Sequence, residues 1–222
     1  NYVYNPYTQK TELGRYGLKA NVPTLDIQVA GALQQDMGVT NYIFPQESSY
    51  GQMQDDGLSD NPDLSDCAVD ALIFYIRTLA VPARRDVTDP IALQGEQLFS
   101  QLNCSGCHTP TVYTGVDVRL PVLSHQRIHP YTDLLLHDMG AELADGRADF
   151  LAGANDWRTP PLWGIGLFPK TNGEAYYLHD GRARNIEEAI LWHGGEAQEA
   201  KKPFVHLSKS EREALLKFLK SL

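Results

Sequence analysis

Two segments of the chain, 64–79 and 207–222, repeat the same pattern of hydrophobic and polar positions. They read LSDCAVDALIFYIRTL and LSKSEREALLKFLKSL and align without a gap. In both, apolar side chains recur at the i, i+3, i+4 and i+7 spacing of an amphipathic helix. The matched stripes are Leu72, Tyr75, Ile76 and Leu79 in the first segment and Leu215, Phe218, Leu219 and Leu222 in the second. The pattern predicts two helices of the same kind and an internal repeat.

A third amphipathic helix is predicted to begin after Asp89. Asp89 is suited to the N-cap and Pro90 to the first helical position. The apolar face that follows consists of Ile91, Gly95, Leu98, Phe99 and Leu102. The closing helix has a start signal of its own, because Ser208 and Glu211 have the spacing of a capping box. Gly95 is small enough for another helix to approach closely, so we predict that these two helices cross there.

Residues 104–108, Cys-Ser-Gly-Cys-His, follow this third helix directly. Cys-x-x-Cys-His is the attachment signature of c-type haem: two thiols add to the porphyrin vinyl groups, and the adjacent imidazole becomes an axial iron ligand. A zinc site would need further Cys or His ligands, and a thioredoxin-like pair would follow a strand in a βαβ unit. The only other cysteine is Cys67. We therefore predict one covalent haem c at Cys104, Cys107 and His108.

These elements predict a mainly α chain built from two cytochrome c-like parts. Residues 88–222 contain an opening helix, the haem motif and a closing helix, and so are predicted to form one complete cytochrome c domain. If the helix at 64–79 closes an equivalent domain, the haem motif of that domain falls before residue 1. Residues 1–87 are then the C-terminal remainder of an N-terminal haem domain plus a linker at 81–86, where Pro82 stops the helix. The alternative is that the two helices look alike only because amphipathic helices do.

Composition and charge narrow the function classes. The chain has 222 residues, of which 42% are hydrophobic and 21% charged, enough for one sizeable core or two small ones. No segment approaches a membrane span. The net charge of −9 argues against nucleic acid and anionic lipid as partners, and is compatible with a basic redox partner protein.

The start of the sequence and the haem motif bear on location. The sequence begins at Asn1 with no charged-then-apolar leader, which we interpret as a processed or truncated product. Haem is attached to Cys-x-x-Cys-His outside the cytoplasm, so we predict a periplasmic or otherwise exported protein. Cys67 is interpreted as a structural bystander, with a reactive thiol or a disulfide to a segment outside this sequence as alternatives.

The second axial ligand decides what a haem does, because a strong ligand gives an electron carrier and an empty position gives a reactive iron. Residues 185–193 are predicted to form a short helix with Asn185 as N-cap and Gly194-Gly195 after its end. Its buried stripe is Ile186, Ala189, Ile190 and His193. Because this stripe points the imidazole toward the core, we predict that His193 is the second ligand.

Other assignments of the second ligand stay open. His193 could instead be a core histidine whose ring is satisfied by a backbone carbonyl. Met139 is the runner-up, because thioether ligation is common in cytochromes c, although it follows an apolar run in which a core methionine is equally expected. The remaining candidates are less plausible ligands: His125, His129, His137 and His179.

Further motifs resemble those of a known family. The first set resembles the C-terminal haem domain of bacterial di-haem cytochrome c peroxidases and their MauG-like relatives: Arg158-Thr-Pro-Pro-Leu162, Tyr176-Tyr-Leu-His-Asp-Gly181, Glu187-Glu-Ala189 and the closing Leu207-Ser helix. A fuller set is similar to the di-haem oxidoreductase family often labelled thiol oxidoreductase: Arg15-Tyr-Gly-Leu-Lys-Ala20, Asp36-Met-Gly-Val-Thr40, Ser124-His125, His137-Asp-Met-Gly140 and Trp192-His-Gly-Gly-Glu196. This resemblance covers nearly the entire chain.

The resemblance also implies a ligand position. In the peroxidases, a Met that ligates the C-terminal haem lies fourteen residues after the His of a His-x-Gly turn. Here that turn contains His179, and the ligand position is His193. The exchange of thioether for imidazole predicts a lower potential than that of the peroxidase relay haem.

Other roles follow from the resemblance as expectations. His179 matches a peroxidase His for which a hydrogen bond to a haem propionate is the expected role. Arg158, Arg182 and Arg184 are candidate propionate partners, because a guanidinium offsets a buried carboxylate charge; the alternative is that they are solvated surface arginines. The peroxidases also hold calcium through backbone oxygens just before that His, where this chain has Glu174 and Tyr176.

An alignment of the two parts of the chain suggests a difference between them. Placing Thr24-Leu25 through Ala32 on Asn185-Ile186 through His193 puts Ala32 where the second axial ligand would be. The missing upstream haem would then lack a ligand from this element and be open to peroxide or oxygen. In the related enzymes the N-terminal haem is the reactive one.

The expected function is electron transfer within a di-haem oxidoreductase. The haem of residues 88–222 is expected to pass electrons to a reactive haem in an upstream domain of the same gene product, with peroxide reduction as the overall reaction and a redox protein or other electron donor as partner. No catalytic residue is assigned within this chain. The alternatives are a stand-alone electron carrier or haem sensor, and a di-haem oxygenase.

Overall fold

A computed structural model describes residues 1–58, 60 and 62–222 of the chain. The chain divides into two compact units. Unit 1 comprises Asn1–Ala80 with Asp149–Leu151, and unit 2 comprises Val81–Ala148 with Ala152–Leu222. The described part of the chain is mainly α, with small sheets. None of the described helices is both long and apolar enough to cross a bilayer.

Unit 1 consists of a short hairpin and two helices. Strands β1 (Tyr2–Asn5) and β2 (Lys10–Leu13) pair antiparallel. Helices α1 (Leu25–Met37) and α2 (Asp66–Arg77) follow. They enclose a small apolar core of Ile27, Val29, Ala30, Ile43, Val69 and Ile73.

The buried face of α2 differs from the stripe that the sequence predicted. Val69 and Ile73 face the core, whereas Tyr75 is 60% exposed and Leu79, just beyond the helix, is 55% exposed. The prediction that Tyr75 and Leu79 are buried is therefore wrong for this structure. The physical reason is that α2 packs against the core through a face centred on Val69 and Ile73, with Leu72 and Ile76 partly buried beside them, and no helix among the described residues covers Tyr75 and Leu79.

Unit 2 contains the haem motif. Its helices are α3 (Pro90–Gln101), α4 (Phe168–Asn172), α5 (Ile186–Trp192), α6 (Gln198–Val205) and α7 (Lys209–Ser221). Between α3 and α4 lie two small antiparallel sheets, one of β3 (Val112–Tyr113) with β4 (Arg127–Ile128) and one of β5 (Leu136–Asp138) with β6 (Asp156–Arg158). Single 3-10 turns link many of these elements, including Cys104–Gly106 directly after α3.

The predicted helix starts are confirmed. The Asp89 carboxylate accepts hydrogen bonds from the backbone N–H groups of Ile91 and Ala92. At the start of α7, Ser208 and Glu211 form the reciprocal bonds of a capping box. These signals were readable because each cap depends on residues within one helical turn.

The crossing of α3 with α7 is also as predicted. A Cβ atom added at Gly95 would lie 2.0 Å from the carbonyl oxygen of Ala214, so only glycine permits this approach. One detail of the predicted face is wrong, because Ile91 is 49% exposed and Ala92 is fully buried in its place. The predicted stripe of α7 is buried throughout. Phe99 and Phe218 meet edge to face, with ring centroids 5.4 Å apart.

The predicted linker 81–86 packs within unit 2. The Arg85 N–H donates to the Ser221 carbonyl at 2.8 Å, and Arg84 makes a two-pronged ion pair with Glu96 at 3.0 and 2.9 Å. The second compact unit begins at Val81, and the domain boundary after residue 87 stays a prediction.

The two units repeat one backbone motif, a bridged turn followed by a capped helix. An isolated antiparallel bridge joins Tyr16 to Val22 in unit 1 and Tyr177 to Ala183 in unit 2. Two residues after each bridge comes an N-cap, Thr24 for α1 and Asn185 for α5. Within each turn the same two positions have positive φ: Gly17 and Ala20 in unit 1, Leu178 and Gly181 in unit 2. The repeat is therefore visible in the backbone.

Candidate haem site

The Cys-x-x-Cys-His segment forms a tight turn at the end of α3. Asn103 adopts a left-handed conformation with φ +60°, and the turn Cys104–Gly106 follows. The His108 N–H closes it by donating to the Cys104 carbonyl at 3.0 Å. Both cysteines are free thiols, with no disulfide between them. The turn thus presents two thiols and one imidazole from five consecutive residues.

The environment of these thiols differs from that of a redox pair. Burial raises the pKa of Cys104 to about 11. Burial raises the pKa of Cys107 as well, and the negative charges of Asp133 and Glu196 add to the effect. Reactive cysteines of redox pairs have lowered pKa values, because they act as thiolates. The groups around Cys104 and Cys107 instead favour the neutral thiols, which is the opposite of what a thioredoxin-like pair requires.

Two histidines are held in the tautomer that a metal ligand needs. His108 Nδ1 lies 3.0 Å from the Tyr131 carbonyl oxygen, and His193 Nδ1 lies 2.8 Å from the Ala189 carbonyl oxygen. A carbonyl only accepts, so each Nδ1 carries the proton and donates it. This leaves the lone pair of each Nε2 available, the arrangement that supports a metal-ligating imidazole.

Electrostatics keeps both rings neutral. Burial, together with the neighbouring His193, lowers the pKa of His108 to about 4. Burial also lowers the pKa of His193. The contact of His193 with a backbone carbonyl is what the alternative of a core histidine expects. Because the carbonyl occupies only Nδ1, Nε2 is still available for a metal, and the ligand role of His193 stays a prediction.

The spacing of the two rings fits a single metal between them. The centroids of the His108 and His193 rings are 6.4 Å apart. With a metal–nitrogen bond of about 2 Å and a ring nitrogen about 1.2 Å from its centroid, two imidazoles on opposite sides of one metal have centroids about 6.4 Å apart. Both side chains keep partial exposure. The residues present thus fit a haem iron with two imidazole ligands.

The other ligand candidates have different surroundings. His137 is bound on both nitrogens, by Asp133 at 2.9 Å and by Glu196 at 2.8 Å, so neither nitrogen has a free lone pair. His129 Nδ1 lies 2.9 Å from the Thr111 hydroxyl. The Met139 N–H donates to the Asn155 carbonyl at 3.0 Å.

His179 lies against an aromatic side chain. Its ring stacks on Trp157 with centroids 3.5 Å apart and planes at 13°. The buried Trp157 donates its indole N–H to the Leu143 carbonyl at 2.9 Å. His179 Nε2 lies 3.9 Å from an Asp180 carboxylate oxygen. The stack fixes the plane of the His179 ring, and its predicted role toward a propionate stays a prediction.

The predicted propionate partners are held by protein groups. Arg182 donates to the Asp180 carboxylate at 2.6 Å and to the Glu142 carbonyl at 2.5 Å. Its guanidinium lies over the Trp192 ring, 4.9 Å from the centroid. The Arg184 side chain is 79% exposed and pairs with Glu188 at 3.0 Å. Arg182 is thus the better placed of the two, next to the tryptophan that precedes His193.

The remaining predictions concern Arg158 and calcium. Arg158 is half-buried at the end of β6 and donates to the Thr159 carbonyl at 3.3 Å. At the predicted calcium position, Tyr176 donates its hydroxyl to the Glu174 carboxylate at 2.6 Å, and both side chains are exposed. Both roles stay predictions.

Two features of the site were not found from the sequence. The Tyr131 carbonyl, which orients His108, belongs to a buried residue with φ +54° and carries no motif. The pairing of His137 with Asp133 and Glu196 was also missed, because residues 133–137 do not form a helix and Glu196 belongs to a separate loop.

A mainly α chain with two imidazoles 6.4 Å apart beside two thiols contains the side chains that a haem-binding redox protein uses to hold its cofactor. The chain matches the sequence model of the family described as "Di-haem oxidoreductase, putative peroxidase" over residues 4–222. That match spans nearly the whole chain, so the protein belongs to this di-haem oxidoreductase family. The predicted family is confirmed, and with it a haem cofactor and an oxidoreductase role. No curated protein and no solved structure matches the chain.

Proposed function

We propose that unit 2 is the electron-transfer haem c domain of an exported, peroxidase-type di-haem oxidoreductase, with a cytochrome c-like fold. One observation carries the proposal: the two imidazoles of His108 and His193 are spaced for one iron, next to the thiols of Cys104 and Cys107. Two strong axial ligands leave no position for substrate, which suits electron transfer.

Each residue has a separate task in this proposal. Cys104 and Cys107 anchor the porphyrin covalently, and His108 and His193 fill the axial positions. Haem bound there supplies one-electron redox chemistry. The carbonyls that accept from the two Nδ1 atoms fix ring orientation and raise ligand basicity. These hydrogen bonds restrict rotation of the His108 and His193 rings, which would change the ligand field of the iron.

Unit 1 is proposed to be the remainder of an N-terminal haem domain. The bridged turn and capped helix that lead to His193 in unit 2 lead to Ala32 in unit 1. A methyl group cannot ligate iron, so the upstream haem would lack a ligand from this helix and bind hydrogen peroxide. Electrons would reach it from the haem of unit 2.

The exposed face of α2 supports an upstream domain. Aligning α2 on α7 places Ala71 on Ala214, the residue whose carbonyl Gly95 of α3 approaches in unit 2. In the same alignment Tyr75 corresponds to the buried Phe218. We propose that a helix of the α3 kind, from the upstream haem domain of the same gene product, covers Ala71, Tyr75 and Leu79.

Removing both thiols tests the covalent attachment. In the Cys104→Ala, Cys107→Ala double variant, expressed with haem-attachment machinery, we expect haem to be lost on denaturation, because only axial bonds to His108 and His193 hold it. Denaturing gel electrophoresis with haem staining, and mass spectrometry, measure this. The control is Cys67→Ala, which should retain the full haem mass. Covalent haem in the double variant would contradict the proposal.

Introducing a ligand in unit 1 tests the reactive upstream haem. In the gene product that includes the upstream domain, we expect Ala32→His to convert a high-spin ferric signal to low-spin and to reduce hydrogen peroxide turnover by about tenfold or more, because an imidazole occupies the substrate position. Electron paramagnetic resonance and a peroxide-consumption assay are the measurements.

The control for this experiment is Gln35→His, which puts an imidazole on an exposed part of the same helix. It should keep both the signal and the turnover. A wild-type protein whose haems are both low-spin would contradict the open upstream site, and a gene product without any upstream haem motif would favour a stand-alone carrier.

A further inference from the structure

His137 joins two carboxylates from different parts of unit 2. Its Nε2 lies 2.9 Å from Asp133 Oδ2, and its Nδ1 lies 2.8 Å from Glu196 Oε2. Because carboxylates accept, both ring nitrogens donate, and the ring is an imidazolium. Burial alone would lower the pKa of His137, but the bonds to Glu196 and Asp133 outweigh it and raise the pKa. The ring also lies 3.7 Å from Cys107 Sγ.

Asp133 belongs to the segment that supports His108. Its backbone N–H donates to the Cys107 carbonyl at 3.0 Å, and the adjacent Thr132 N–H donates to the Thr109 carbonyl at 3.1 Å. Two residues earlier, the Tyr131 carbonyl accepts from His108 Nδ1. Any displacement of Asp133 is therefore transmitted to the acceptor that orients His108.

Glu196 belongs to the segment that follows His193. Its second oxygen, Oε1, accepts from the Asp138 N–H at 3.1 Å, so one carboxylate binds both the side chain of His137 and the next backbone amide. The His137 side chain is 17% exposed, and that of Glu196 is 56% exposed. In the ion pair of His137 with Glu196, the histidine is therefore the more buried partner.

Glycines bring the two backbones into direct contact at this point. A Cβ atom at Gly195 would lie 2.1 Å from the Asp138 carbonyl oxygen, and one at Gly194 would lie 2.9 Å from the Met139 carbonyl oxygen. At Gly140, with φ +84°, an added Cβ would lie 3.0 Å from the Gly195 amide nitrogen. The loop after β5 therefore packs against the two residues that directly follow His193.

We propose that His137 is a positioning residue for both axial ligands of the unit 2 haem. Its hydrogen bonds connect segment 131–133, which orients His108, to Glu196 in the loop that follows His193. This inference rests on the proposed function, because it takes both histidines as ligands. Because His137 binds both Asp133 and Glu196, the distance between the imidazoles of His108 and His193 is fixed before the iron binds. The same contacts restrict movement of His193 away from the iron. In this proposal the His-Asp-Met-Gly segment holds the two axial histidines in position through His137 and does not ligate the iron through Met139.

The rate of cyanide binding to the ferric holoprotein tests this positioning role, because cyanide must displace His193. In His137→Gln we expect the rate constant to rise by about tenfold or more, as is common when a residue supporting a metal ligand is lost. The low-spin electron paramagnetic resonance signal should broaden, since the His193 ring takes several orientations. The matched control, His129→Gln, removes an exposed imidazole and should leave both readouts unchanged.

A second variant guards against misfolding. Glu196→Gln alters an exposed side chain and should raise the cyanide rate in the same direction. Because the two residues act through one contact, the double variant should bind cyanide no faster than His137→Gln alone. If His137→Gln gives no holoprotein, Glu196→Gln decides the question. Wild-type cyanide rates and spectra in the variants would overturn the inference, whereas a wild-type protein without a two-imidazole signal would overturn the proposed function itself.

Discussion

With His108 and His193 as the axial ligands that we propose, replacing His193 by Ala is expected to convert the ferric haem of unit 2 from low-spin to high-spin. The ring of His193 lies 6.4 Å from that of His108, and its Nδ1 is committed to the Ala189 carbonyl. Only Nε2 is then available to an iron. Removing the imidazole leaves one strong axial ligand, and water or nothing in the other position gives a weak field.

Low-temperature electron paramagnetic resonance measures this change directly. The wild-type protein should give a low-spin signal with two nitrogen ligands, and His193→Ala should lose essentially all of it. Met139→Leu, which preserves side-chain volume, is the matched control and should keep the signal. Loss of the signal in Met139→Leu instead would make Met139 the ligand. A high-spin wild-type signal would make this haem the reactive one.

Gly95→Ala is expected to destabilise unit 2 by up to about 2 kcal/mol, despite the higher helix propensity of alanine. Propensity alone would favour Ala over Gly by about 1 kcal/mol in a helix interior. The added methyl carbon, however, would lie 2.0 Å from the Ala214 carbonyl oxygen and 2.8 Å from Phe218 Cβ. Helix α3 or α7 must shift, and overpacking of this kind typically costs about 1–3 kcal/mol.

Gly31→Ala is a control for which the expected change in stability is zero or opposite in sign to that of Gly95→Ala. It also lies in a helix, α1, but a Cβ atom there would only touch the Phe44 ring at 3.7 Å, which is ordinary contact. We expect Gly31→Ala to leave stability unchanged or raise it by up to about 1 kcal/mol. Urea unfolding followed by circular dichroism gives both values. Equal effects of the two substitutions would show that the close approach at Gly95 does not determine stability.

Local signals made much of the helical fold predictable. Asp89 and Ser208 were recognised as N-caps because a cap depends on neighbours within a few residues. The face of α7 followed from its periodicity. The face of α2 did not, because Tyr75 and Leu79 satisfy the same periodicity yet lie exposed. A pattern shows which side chains can be buried together, and only the partner element decides which of them are.

The site divides in the same way. Cys104, Cys107 and His108 were singled out because they lie within five consecutive residues, and His193 because a short capped helix ends there. The structure brings the two imidazoles together, and the roles of all four residues stay predictions. The contact of His137 with Glu196 joins residues 59 positions apart on separate loops. The Tyr131 carbonyl is a backbone group and leaves no trace in side-chain identity. Such contacts are set by tertiary packing, which the sequence of one chain does not display.

The turn shared by the two units determines how they must be compared. Each copy of the turn has two positions with positive φ, and glycine occupies only one of them. In unit 1 it is the first position, Gly17, and in unit 2 it is the second position, Gly181. An alignment that matches Gly17 to Gly181 is shifted by three residues from the alignment that matches the two turns. The counterpart of His193 would then be the buried Val29 rather than Ala32. The residue of unit 1 that corresponds to His193 is therefore identified by the backbone torsion angles of this turn and not by matching glycine to glycine.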